Sequence, residues 1–561
     1  MKYLINYIQN TNLNIKENDL MKYNLIGRND FFMPIETILD NREITMDLFN
    51  LDASVVEDYS YYDNMNNGIE LLLGHLKNNN KIEIVGDCDV DGATSCSMIY
   101  LYIKEIYPKA NLNILIHEGK HHGLSKDIHI SDETKLVILP DSSSNDHKEH
   151  EKLHTKGIDV LVIDHHDCDI GYSKYATVIN NQLSKNVKNK ELCGAGVVMK
   201  FLKALDDYLF EDKSSYYNDL CCLGNVADMM NLKSEETRYY VYQGLANINN
   251  LFLRALIESN EFDLDGKYNI EKIGWVIAPK LNGTIRSGSQ EEKMKMYEAF
   301  TSNDYEFCLE TAKMCKSIKT RQDNAVKSAM NNILKTLKLN DNDKCLILEV
   351  GKKLSQSHTG LVAQKLSDRF GIPTLLYRDV ENKKDYVAGS FRGINNITKD
   401  LRNDLLKSEL VEYGEGHPNA GGFEVHKDKL SKLKDYLNEL YKDKEVITSK
   451  EYQVDFILQE QDIDDYLVNQ LASLENEFGN GIHIPLIAFE NIELYLDENN
   501  SKGRTNIVFY INDIKFIKKY ASKVLKEELY NKNIKVNMVG KCTIDTYSNT
   551  GQVEIVDIEV I

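Results

Sequence analysis

The sequence predicts an α/β fold with two α/β lobes joined by a long helix and followed by a small β-barrel. Apolar runs typical of buried strands alternate with helical patterns from Lys81 to about residue 250, and a second such unit starts at Cys345. Between them, Ser302–Leu337 has few helix breakers and is predicted as one long helix. Residues 450–561 then alternate as short strands, which favours the barrel.

The chain of 561 residues is too long for one core, so several domains are expected. The sequence patterns divide it into five predicted segments. These are a polar helical lead-in (1–75), a parallel-sheet domain (76–250), a helical connector (251–340), a smaller α/β domain (341–446) and a β-rich domain (450–561). The β-rich domain has five predicted strands and one helix, Phe516–Leu529, as in barrels of the oligonucleotide-binding type. Candidate stacking rings on its strands, for which core packing is the commoner role, are Phe489, Tyr495, Phe509 and Tyr510.

Charge and cysteine usage narrow the class of protein. The net charge of -20 argues against coating nucleic acid by bulk electrostatics, so any contact with nucleic acid must be local. Ten cysteines without a Cys-x-x-Cys pair indicate free thiols in a reducing cytoplasm. The N-terminus lacks a secretory pattern, and no apolar run approaches ~18 residues. We therefore expect a soluble cytoplasmic protein with no membrane contact.

Carboxylates and imidazoles follow several apolar runs at the point where each run ends. The runs Ile82–Gly86, Leu136–Pro140 and Val160–Ile163 are typical of buried parallel strands. Because ligands bind at the carboxyl ends of such strands, we expect the polar side chains there to converge. Carboxylate oxygens and imidazole suit Mn²⁺ or Mg²⁺. The candidate metal site comprises Asp87, Asp89, Asp141, Asp164, His165, His166 and, from a fourth acidic turn, Asp228.

Each motif taken alone has another interpretation. Asp87–Gly92 resembles the start of a calcium loop, but an EF-hand needs Glu at the twelfth position, where Met98 stands. An isolated Asp after a strand is more often a helix N-cap, and paired histidines also occur in surface turns. Their shared position at strand ends within one α/β block favours the metal site. Gly194 and Gly196 lack a third spaced glycine, which favours close helix packing over a nucleotide loop.

Three further segments are candidate phosphate contacts. Ala278–Arg286 is predicted as a loop with two cations and an amide, which near an acidic metal site could hold phosphate oxygens, although basic turns are usually only solvated. In the second α/β unit, Ser390 and Arg392 offer a hydroxyl and forked donors. The glycines of Gly389–Gly393 and Gly414–Gly422 permit close backbone approach to a ligand. The alternative for these two segments is a pair of tight turns.

The motifs occur in the order of a known superfamily. Asp87-Cys-Asp89-Val-Asp91-Gly92, Pro140-Asp141, Asp164-His165-His166 and Gly224-Asn-Val-Ala-Asp228 resemble the ordered motifs of the DHH phosphoesterases. Gly389-Ser390-Phe-Arg392 and Gly416-His417-Pro-Asn-Ala420-Gly421 resemble its associated second domain, DHHA1. Ala278–Arg286 resembles the Pro-Arg-Leu-Asn-Ala-Ala-Gly-Arg element of RecJ exonucleases, and Leu474–Pro485 resembles the entry to their C-terminal barrel. The resemblance to RecJ-like single-strand-specific exonucleases runs from about Phe31 to the end.

The resemblance implies roles for individual residues. It implies that the ligands of two Mn²⁺ or Mg²⁺ ions are Asp87, Asp89, Asp141, His165 and Asp228. Asp164 and His166 would flank these ligands, and Asp91 would be structural. The residues implied to face the DNA strand and its phosphates are Lys280, Asn282, Arg286, Ser390, Arg392 and His417.

The chain departs from the family pattern at three places. Asp141-Ser142-Ser143 stands where the family usually has Asp-Asn-Gly, and Lys280, a point charge without a fork, stands where Arg is usual. Ile116–Leu124 lacks the Arg of the family's Glu-Gly-Tyr-Gly-Leu segment, which helps to recognise the 5′ end. The substitutes expected there are Lys120, His121 or His122.

The expected reaction is hydrolysis of single-stranded DNA, 5′→3′, to 5′-mononucleotides by in-line attack of activated water, in DNA repair, recombination or replication. Expected partners are single-stranded DNA and a single-strand-binding protein or helicase. One alternative is a DHH phosphodiesterase for short oligonucleotides or cyclic dinucleotides, whose members generally lack a C-terminal barrel. The other is a non-catalytic DHH-derived scaffold, which is disfavoured because every carboxylate and the histidine are present.

Overall fold

The computed structural model describes residues 21–119, 121–125, 127–337, 339–340, 343–351, 354–380, 383–446, 451–498 and 505–561. Their contacts form two units. The first contains residues 23–318 and 452–561, and the second contains residues 319–451. Among these described residues, no helix has both the length and the apolar character that crossing a membrane requires.

A parallel sheet forms the centre of the first unit. Three elements precede this sheet, namely β1 (Lys22–Leu25), α1 (Pro34–Asn41) and α2 (Met65–Lys77). The elements of the sheet and its connections are, in order, β2 (Lys81–Gly86), α3 (Val90–Ile106), β3 (Leu112–Ile116), β4 (Thr134–Pro140), α4 (His147–Thr155), β5 (Asp159–Asp164) and β6 (Thr177–Asn180). The strands lie in the order β3-β2-β4-β5-β6, and every neighbouring pair is parallel. Along β4, Leu136 and Ile138 face one buried core while Val137 and Leu139 face another. Continuous apolar runs suit such a sheet because both of its faces are covered.

The register of the sheet places its acidic strand ends at one level. Pro140 lies opposite Ile163, so Asp141 and Asp164 follow neighbouring strands at the same edge. The backbone N–H of Asp141 continues the ladder by donating to the carbonyl of Ile163 at 2.8 Å. The convergence predicted from the strand ends is therefore present in the backbone itself.

Helices follow the sheet. They are α5 (Gly194–Leu209), α6 (Asn218–Ala227), α7 (Glu235–Ala246), α8 (Leu251–Ser259), α9 (Glu261–Leu264), α10 (Ile270–Lys272), α11 (Ala278–Ser287), α12 (Gln290–Phe300) and α13 (Tyr305–Thr336). A π-helical turn, Ile273–Ile277, joins α10 to α11. The long helix predicted from Ser302 is confirmed as α13, which runs from the first unit into the second.

The prediction of a loop at Ala278–Arg286 is wrong, because this segment is helix α11. Pro279 lies in the first turn, where the missing N–H costs no hydrogen bond. Leu281 and Ile285 follow Ile277 at four-residue spacing and are buried with it. Burial of this apolar stripe stabilises the helix, whereas the polar residues of the segment had suggested a loop.

The second unit contains a sheet of its own. After α13 it follows β7 (Leu346–Glu349), α14 (Gln356–Phe370), β8 (Thr374–Val380), β9 (Lys383–Arg392), α15 (Leu401–Lys407), β10 (Val411–His417), β11 (Ala420–His426) and α16 (Leu430–Leu440). The strands lie in the order β10-β11-β9-β8-β7. The two glycine-rich segments belong largely to β9, β10 and β11. The alternative of tight turns holds only for Pro418 and Asn419, which form the two-residue turn between β10 and β11.

The β-rich C-terminal segment completes the first unit. Its elements are β12 (Glu451–Val454), β13 (Phe456–Leu458), α17 (Asp465–Ser473), β14 (Ile487–Tyr495), β15 (Ile507–Ile511), β16 (Ile514–Lys518), α18 (Lys523–Leu529), β17 (Asn533–Ile544) and β18 (Gly551–Val560). β12 pairs with β1, and the other strands lie in the order β13-β14-β17-β18-β16-β15. This mixed sheet is consistent with the predicted barrel of the oligonucleotide-binding type.

Within this segment, the predicted helix Phe516–Leu529 is wrong over its first part. Asn512 and Asp513 both have positive φ and connect β15 to β16 as a two-residue hairpin turn, so residues 514–518 form a strand. Helix α17 was not predicted. Of the four candidate rings, Phe489 and Phe509 pack in the core, whereas Tyr495 and Tyr510 are exposed.

Ion pairs fasten the C-terminal segment to the rest of the first unit. The guanidinium of Arg42 donates to both carboxylate oxygens of Asp455, at 3.0 and 2.8 Å. The parallel-sheet domain contributes the pair of Arg238 with Glu477, and the connector contributes the pairs of Lys267 with Glu475 and of Glu271 with Lys541, each at 2.8 Å. The predicted β-rich domain therefore packs directly on the predicted parallel-sheet domain and its connector.

Candidate metal centre

The loop after β2 supplies the first carboxylates. Asp89 has extended backbone and caps α3, accepting the N–H of Gly92 at 3.0 Å. Asp87 accepts the N–H of Gly123 at 3.1 Å, and its own carbonyl accepts the hydroxyl of Tyr297 at 2.9 Å. A β-carbon at Gly92 would lie 2.5 Å from Cβ of Asp87, so only glycine fits there. The Asp-x-Asp-x-Asp-Gly spacing thus folds two carboxylates around one helix start.

The start of α5 packs against the next carboxylate. Asp141 adopts positive φ after β4, and a β-carbon at Gly194 would lie 2.5 Å from Cβ of Asp141. Asp91 accepts the N–H groups of Gly194 and Ala195 at 2.6 and 2.8 Å, which fixes the N-terminus of α5. The close-packing interpretation of Gly194 is therefore confirmed, and Asp91 has the structural contacts expected of it.

The Asp164 carboxylate orders the two histidines. It accepts the backbone N–H groups of Ser144, His165 and His166 at 3.0, 2.7 and 3.2 Å, and Nδ1 of His166 at 2.8 Å. Burial alone would raise the pKa of Asp164, but the hydrogen bond and charge of His166 hold the pKa below its usual range. Burial lowers and the Asp164 bond raises the pKa of His166, which reaches about 9. Asp164 therefore positions the histidines, and its oxygens are already occupied by these hydrogen bonds.

His165 lies among the carboxylates. Its Nε2 is 3.2 Å from Oδ1 of Asp141, 3.6 Å from Oδ2 of Asp228 and 3.9 Å from Oδ2 of Asp91. Asp228 reaches this point from the C-terminal end of α6. Burial lowers the pKa of His165, which favours the neutral imidazole whose lone pair can bind a metal.

Several groups of side chains bring possible ligand atoms within 4.8 Å of one another. These groups are Asp87 with Asp89 and Asp141; Asp91 with His165 and Asp228; and Asp141 with His165 and His166. The structure therefore brings together every residue of the predicted metal site except Asp164, which lies behind the histidines. Because Asp141 and His165 occur in adjoining groups, the donors form one continuous cluster.

The electrostatics of this cluster fit a divalent cation. The pKa values of Asp89, Asp141 and Asp228 are all raised, mainly by burial and then by repulsion from neighbouring carboxylates. The pKa of Asp141 lies well above its usual range, and that of Asp228 is about 8. Oδ1 of Asp141 is buried and has no hydrogen-bond partner among the described residues. Oxygen donors with one imidazole suit Mn²⁺ or Mg²⁺, and bound cations would relieve the repulsion.

His122 differs from its predicted place at the DNA. Its Nδ1 is 2.5 Å from Oδ2 of Asp87, and its Nε2 is 3.4 Å from Sγ of Cys88. The hydrogen bond to Asp87 raises the pKa of His122 to about 11. The ring therefore supports a carboxylate of the metal centre directly. Lys120, predicted for the same segment, lies outside the described residues.

Helix α11 carries three of the predicted phosphate contacts. Arg286 is exposed, and Oδ1 of Asn282 is buried without a hydrogen-bond partner among the described residues. Lys280 is 8% exposed; its Nζ lies 3.3 Å from Asp263 and donates to the carbonyl of Val276 at 3.1 Å. Asn282 and Arg286 thus remain candidates for phosphate, whereas Lys280 is engaged within its own region.

The remaining predicted contacts belong to the second unit, where sheet register brings them together. His417 pairs with Ala420, which pairs with Arg392 on β9. Ser390 Oγ lies 2.8 Å from Oγ1 of Thr359. The guanidinium of Arg392 lies against α14, because a β-carbon at Gly360 would be 2.6 Å from Nη2. These three side chains form a local polar group at the ends of β9 and β10.

Two supporting contacts were not predicted. The hydroxyl of Tyr297 fixes the Asp87 backbone from α12, about two hundred residues along the chain, and no local pattern marks this tyrosine. Asn180, at the end of β6, donates to Ser144 Oγ at 2.9 Å and to the His166 carbonyl at 3.0 Å. A polar residue ending an apolar strand is the signal that would have identified Asn180.

Replacing Asp164 with Asn should lower activity about 10- to 100-fold and also lower the melting temperature, since an amide N–H would face the donors now bound by carboxylate. Steady-state rates on a labelled oligonucleotide and a thermal melt measure both effects. Asp167→Asn, an exposed acid three residues along the same loop, is the matched control and should change neither. Wild-type activity for the Asp164 variant would show that histidine order is not limiting.

The fold and the acidic sheet edge define the class of DHH phosphoesterases. Residues 81–225 match the family model described as the DHH family, N-terminal domain. The solved structure of RecJ in complex with Mn²⁺ from Thermus thermophilus superposes with a TM-score of 0.75 at 18% identity, covering 97% of this chain and 80% of that one. At this identity the likeness establishes the fold.

Curated relatives extend the match to the whole chain. The putative SPbeta prophage-derived single-strand DNA-specific exonuclease YorK of Bacillus subtilis (strain 168) is 36% identical over 572 residues, which cover 96% of this chain and 98% of YorK. The single-stranded-DNA-specific exonuclease RecJ of the same organism is 24% identical over 396 residues, covering 68% of this chain and 49% of that RecJ. The chain belongs to the RecJ-like exonuclease family of the DHH superfamily.

Proposed function

We propose that this protein is a metal-dependent single-stranded DNA exonuclease. The observation that carries the proposal is the convergence of Asp87, Asp89, Asp141, His165 and Asp228 at the carboxyl edge of one parallel sheet. The match to YorK over nearly the full length of both chains supports the substrate class. The β-rich segment, fastened to the first unit by ion pairs, supports a substrate longer than a dinucleotide.

Two Mn²⁺ or Mg²⁺ ions are proposed as the cofactor, held by those five residues. When bound, such ions activate water for attack on phosphorus and neutralise charge on the phosphodiester. Asp164 keeps the backbone of His165 in place and accepts a hydrogen bond from the ring of His166. No side-chain nucleophile would be required, because water activated by the ions could attack phosphorus directly.

Substrate contacts are proposed for two groups of polar side chains. In the first unit these are Asn282 and the exposed Arg286 on α11. In the second unit Ser390, Arg392 and His417 are proposed to bind the strand and its phosphates, which match their hydroxyl, guanidinium and imidazole donors. Lys280 is assigned to holding its own segment instead.

Digestion from the 5′ end to 5′-mononucleotides, in DNA repair, recombination or replication, is proposed from the family resemblance. A single-strand-binding protein or helicase partner stays a prediction. All ten cysteines lie in the described part of the chain and are unpaired, which supports a reducing cytoplasm as the location.

The test is digestion of single-stranded DNA labelled with a fluorophore at either the 5′ or the 3′ end, with Mn²⁺ and then with EDTA. We expect immediate release of labelled mononucleotide from the 5′-labelled strand and no release in EDTA. Early release from the 3′ label would reverse the polarity while keeping the metal chemistry. Intact long DNA alongside cleaved dinucleotides would move the protein to the small-substrate phosphodiesterases.

A further inference from the structure

Trp275 is the only tryptophan of the sequence, and its side chain is exposed to solvent. It is 68% exposed, whereas Ile273 and Ile277 on either side are fully buried. These residues form the π-helical turn between α10 and α11. Single π-helical turns are rare and occur frequently at functional sites. The turn places its two isoleucines in the core and leaves the indole exposed, so core packing does not explain the tryptophan.

The turn packs beside the metal centre. A β-carbon at Gly274 would lie 3.8 Å from Cγ1 of Val226. Val226 lies in the last turn of α6, two residues before Asp228. On the other side the turn leads into α11, which carries Asn282 and Arg286. The backbone of the turn therefore packs on the end of the helix that leads to Asp228, and it continues directly into the helix that carries two proposed phosphate contacts.

Side-chain hydrogen bonds on both sides hold the turn in place. Lys280 donates to the carbonyl of Val276, the residue after Trp275, and pairs with Asp263. Upstream, Glu271 accepts from Lys541 on β17 at 2.8 Å, which ties the turn to the β-rich segment. A ring on a backbone fixed at both ends loses little conformational entropy when it binds a flat partner.

We propose that Trp275 is a base-stacking platform for the single strand beside the metal centre. The proposal rests on the proposed function and adds a nucleobase-binding site to it. Stacking accepts every base because each has a π-face, so binding at this site would not depend on the base sequence. The strand's phosphates would be held by cations and metal while one base stacks on the indole.

Because the chain has one tryptophan, its fluorescence reports on this site alone. Titrating wild-type protein in EDTA, where cleavage is off, with oligo(dT) should quench the emission saturably. The 5′/3′-label digestion tests the proposed function separately, so the two can fail independently. The anisotropy of labelled oligo(dT) measures DNA binding independently. If the tryptophan emission stays unchanged at DNA concentrations that saturate binding, Trp275 is not a stacking platform.

Kinetics supply the second test. Trp275→Ala should raise KM for single-stranded DNA about 10- to 100-fold with kcat much less affected, and Trp275→Phe should restore most of the affinity. The matched control is Phe210→Ala, because Phe210 is 96% exposed at the far end of α5, about 24 Å from where that helix meets Asp141. It should leave KM unchanged. A wild-type KM for Trp275→Ala, or no rescue by Phe, would overturn the proposal.

Discussion

Replacing Asp141 with Asn should abolish strand cleavage and at the same time stabilise the metal-free protein. Asp141 is 1% exposed, its Oδ1 lies 3.2 Å from Nε2 of His165, and its carboxylate groups with those of Asp87 and Asp89 within 4.8 Å. The amide keeps the shape of the side chain but removes the charge that a cation requires. We expect a loss of about 10³-fold or more in rate, equivalent to about 4 kcal/mol of barrier.

The stabilising half of this prediction follows from the repulsion in the cluster. The pKa of Asp141 is raised well above its usual range by burial and by neighbouring carboxylates, so its charge opposes folding when no cation is bound. In EDTA the melting temperature of the variant should therefore exceed that of wild type by about 2–4 °C. The stabilisation that Mn²⁺ gives wild type should be lost.

Asp159→Asn is the matched control. Asp159 begins the same β5 whose other end carries Asp164, and its side chain is half exposed beside His75. Its replacement should change neither rate nor metal response. More than a few per cent of wild-type activity in the Asp141 variant, or an undiminished Mn²⁺ shift, would exclude Asp141 as a ligand.

In EDTA, the melting temperature of the first unit should fall by about 5 °C or more as pH rises from about 4 to about 8. Burial and the charges of Asp91 and Asp89 raise the pKa of Asp228 to about 8. The folded protein therefore holds a proton that the unfolded chain releases near its ordinary pKa of 3.8. The resulting stability is complete below that ordinary pKa and is lost as pH rises towards 8.

Trp275 belongs to the first unit, so its fluorescence monitors this transition without a signal from the second. Saturating Mn²⁺ should cancel the loss above neutral pH, because the cation replaces the proton as counter-charge. Asp228→Asn should make the dependence in EDTA less steep, with the remainder due to Asp89 and Asp141, and Asp159→Asn should leave it unchanged. A melting temperature that rises with pH in EDTA would contradict the raised pKa of Asp228.

Much of the metal centre was predictable because strand ends in a parallel sheet obey a general rule. Apolar runs that stop at Asp87, Asp141 and Asp164 must bring those carboxylates to one edge once the strands align. The glycine packing beside Asp141 was predictable from the lack of a third spaced glycine. The nature of the donors then determined the class of cation.

Other features depended on contacts between distant segments. The sequence pattern predicts a loop in place of helix α11 because the polar surface of this helix hides the buried stripe of Ile277, Leu281 and Ile285. It predicts helix in place of strand β16 because the two-residue turn at Asn512 and Asp513 decides the pairing of that strand. The secondary structure of a short segment depends on the segments against which it packs, and local propensity alone does not identify those packing partners.

By itself the sequence determined the α/β class, the acidic sheet edge and the family, because periodicity and motif order are local properties of the chain. Only the tertiary structure decided that His122 binds Asp87, that Lys280 holds the turn of Trp275, and that Tyr297 fixes the backbone of Asp87. Two of these contacts join residues that are distant in sequence, and the third depends on a π-helical turn that periodicity does not reveal. Side-chain partners of this kind are set by packing, which a linear pattern does not encode.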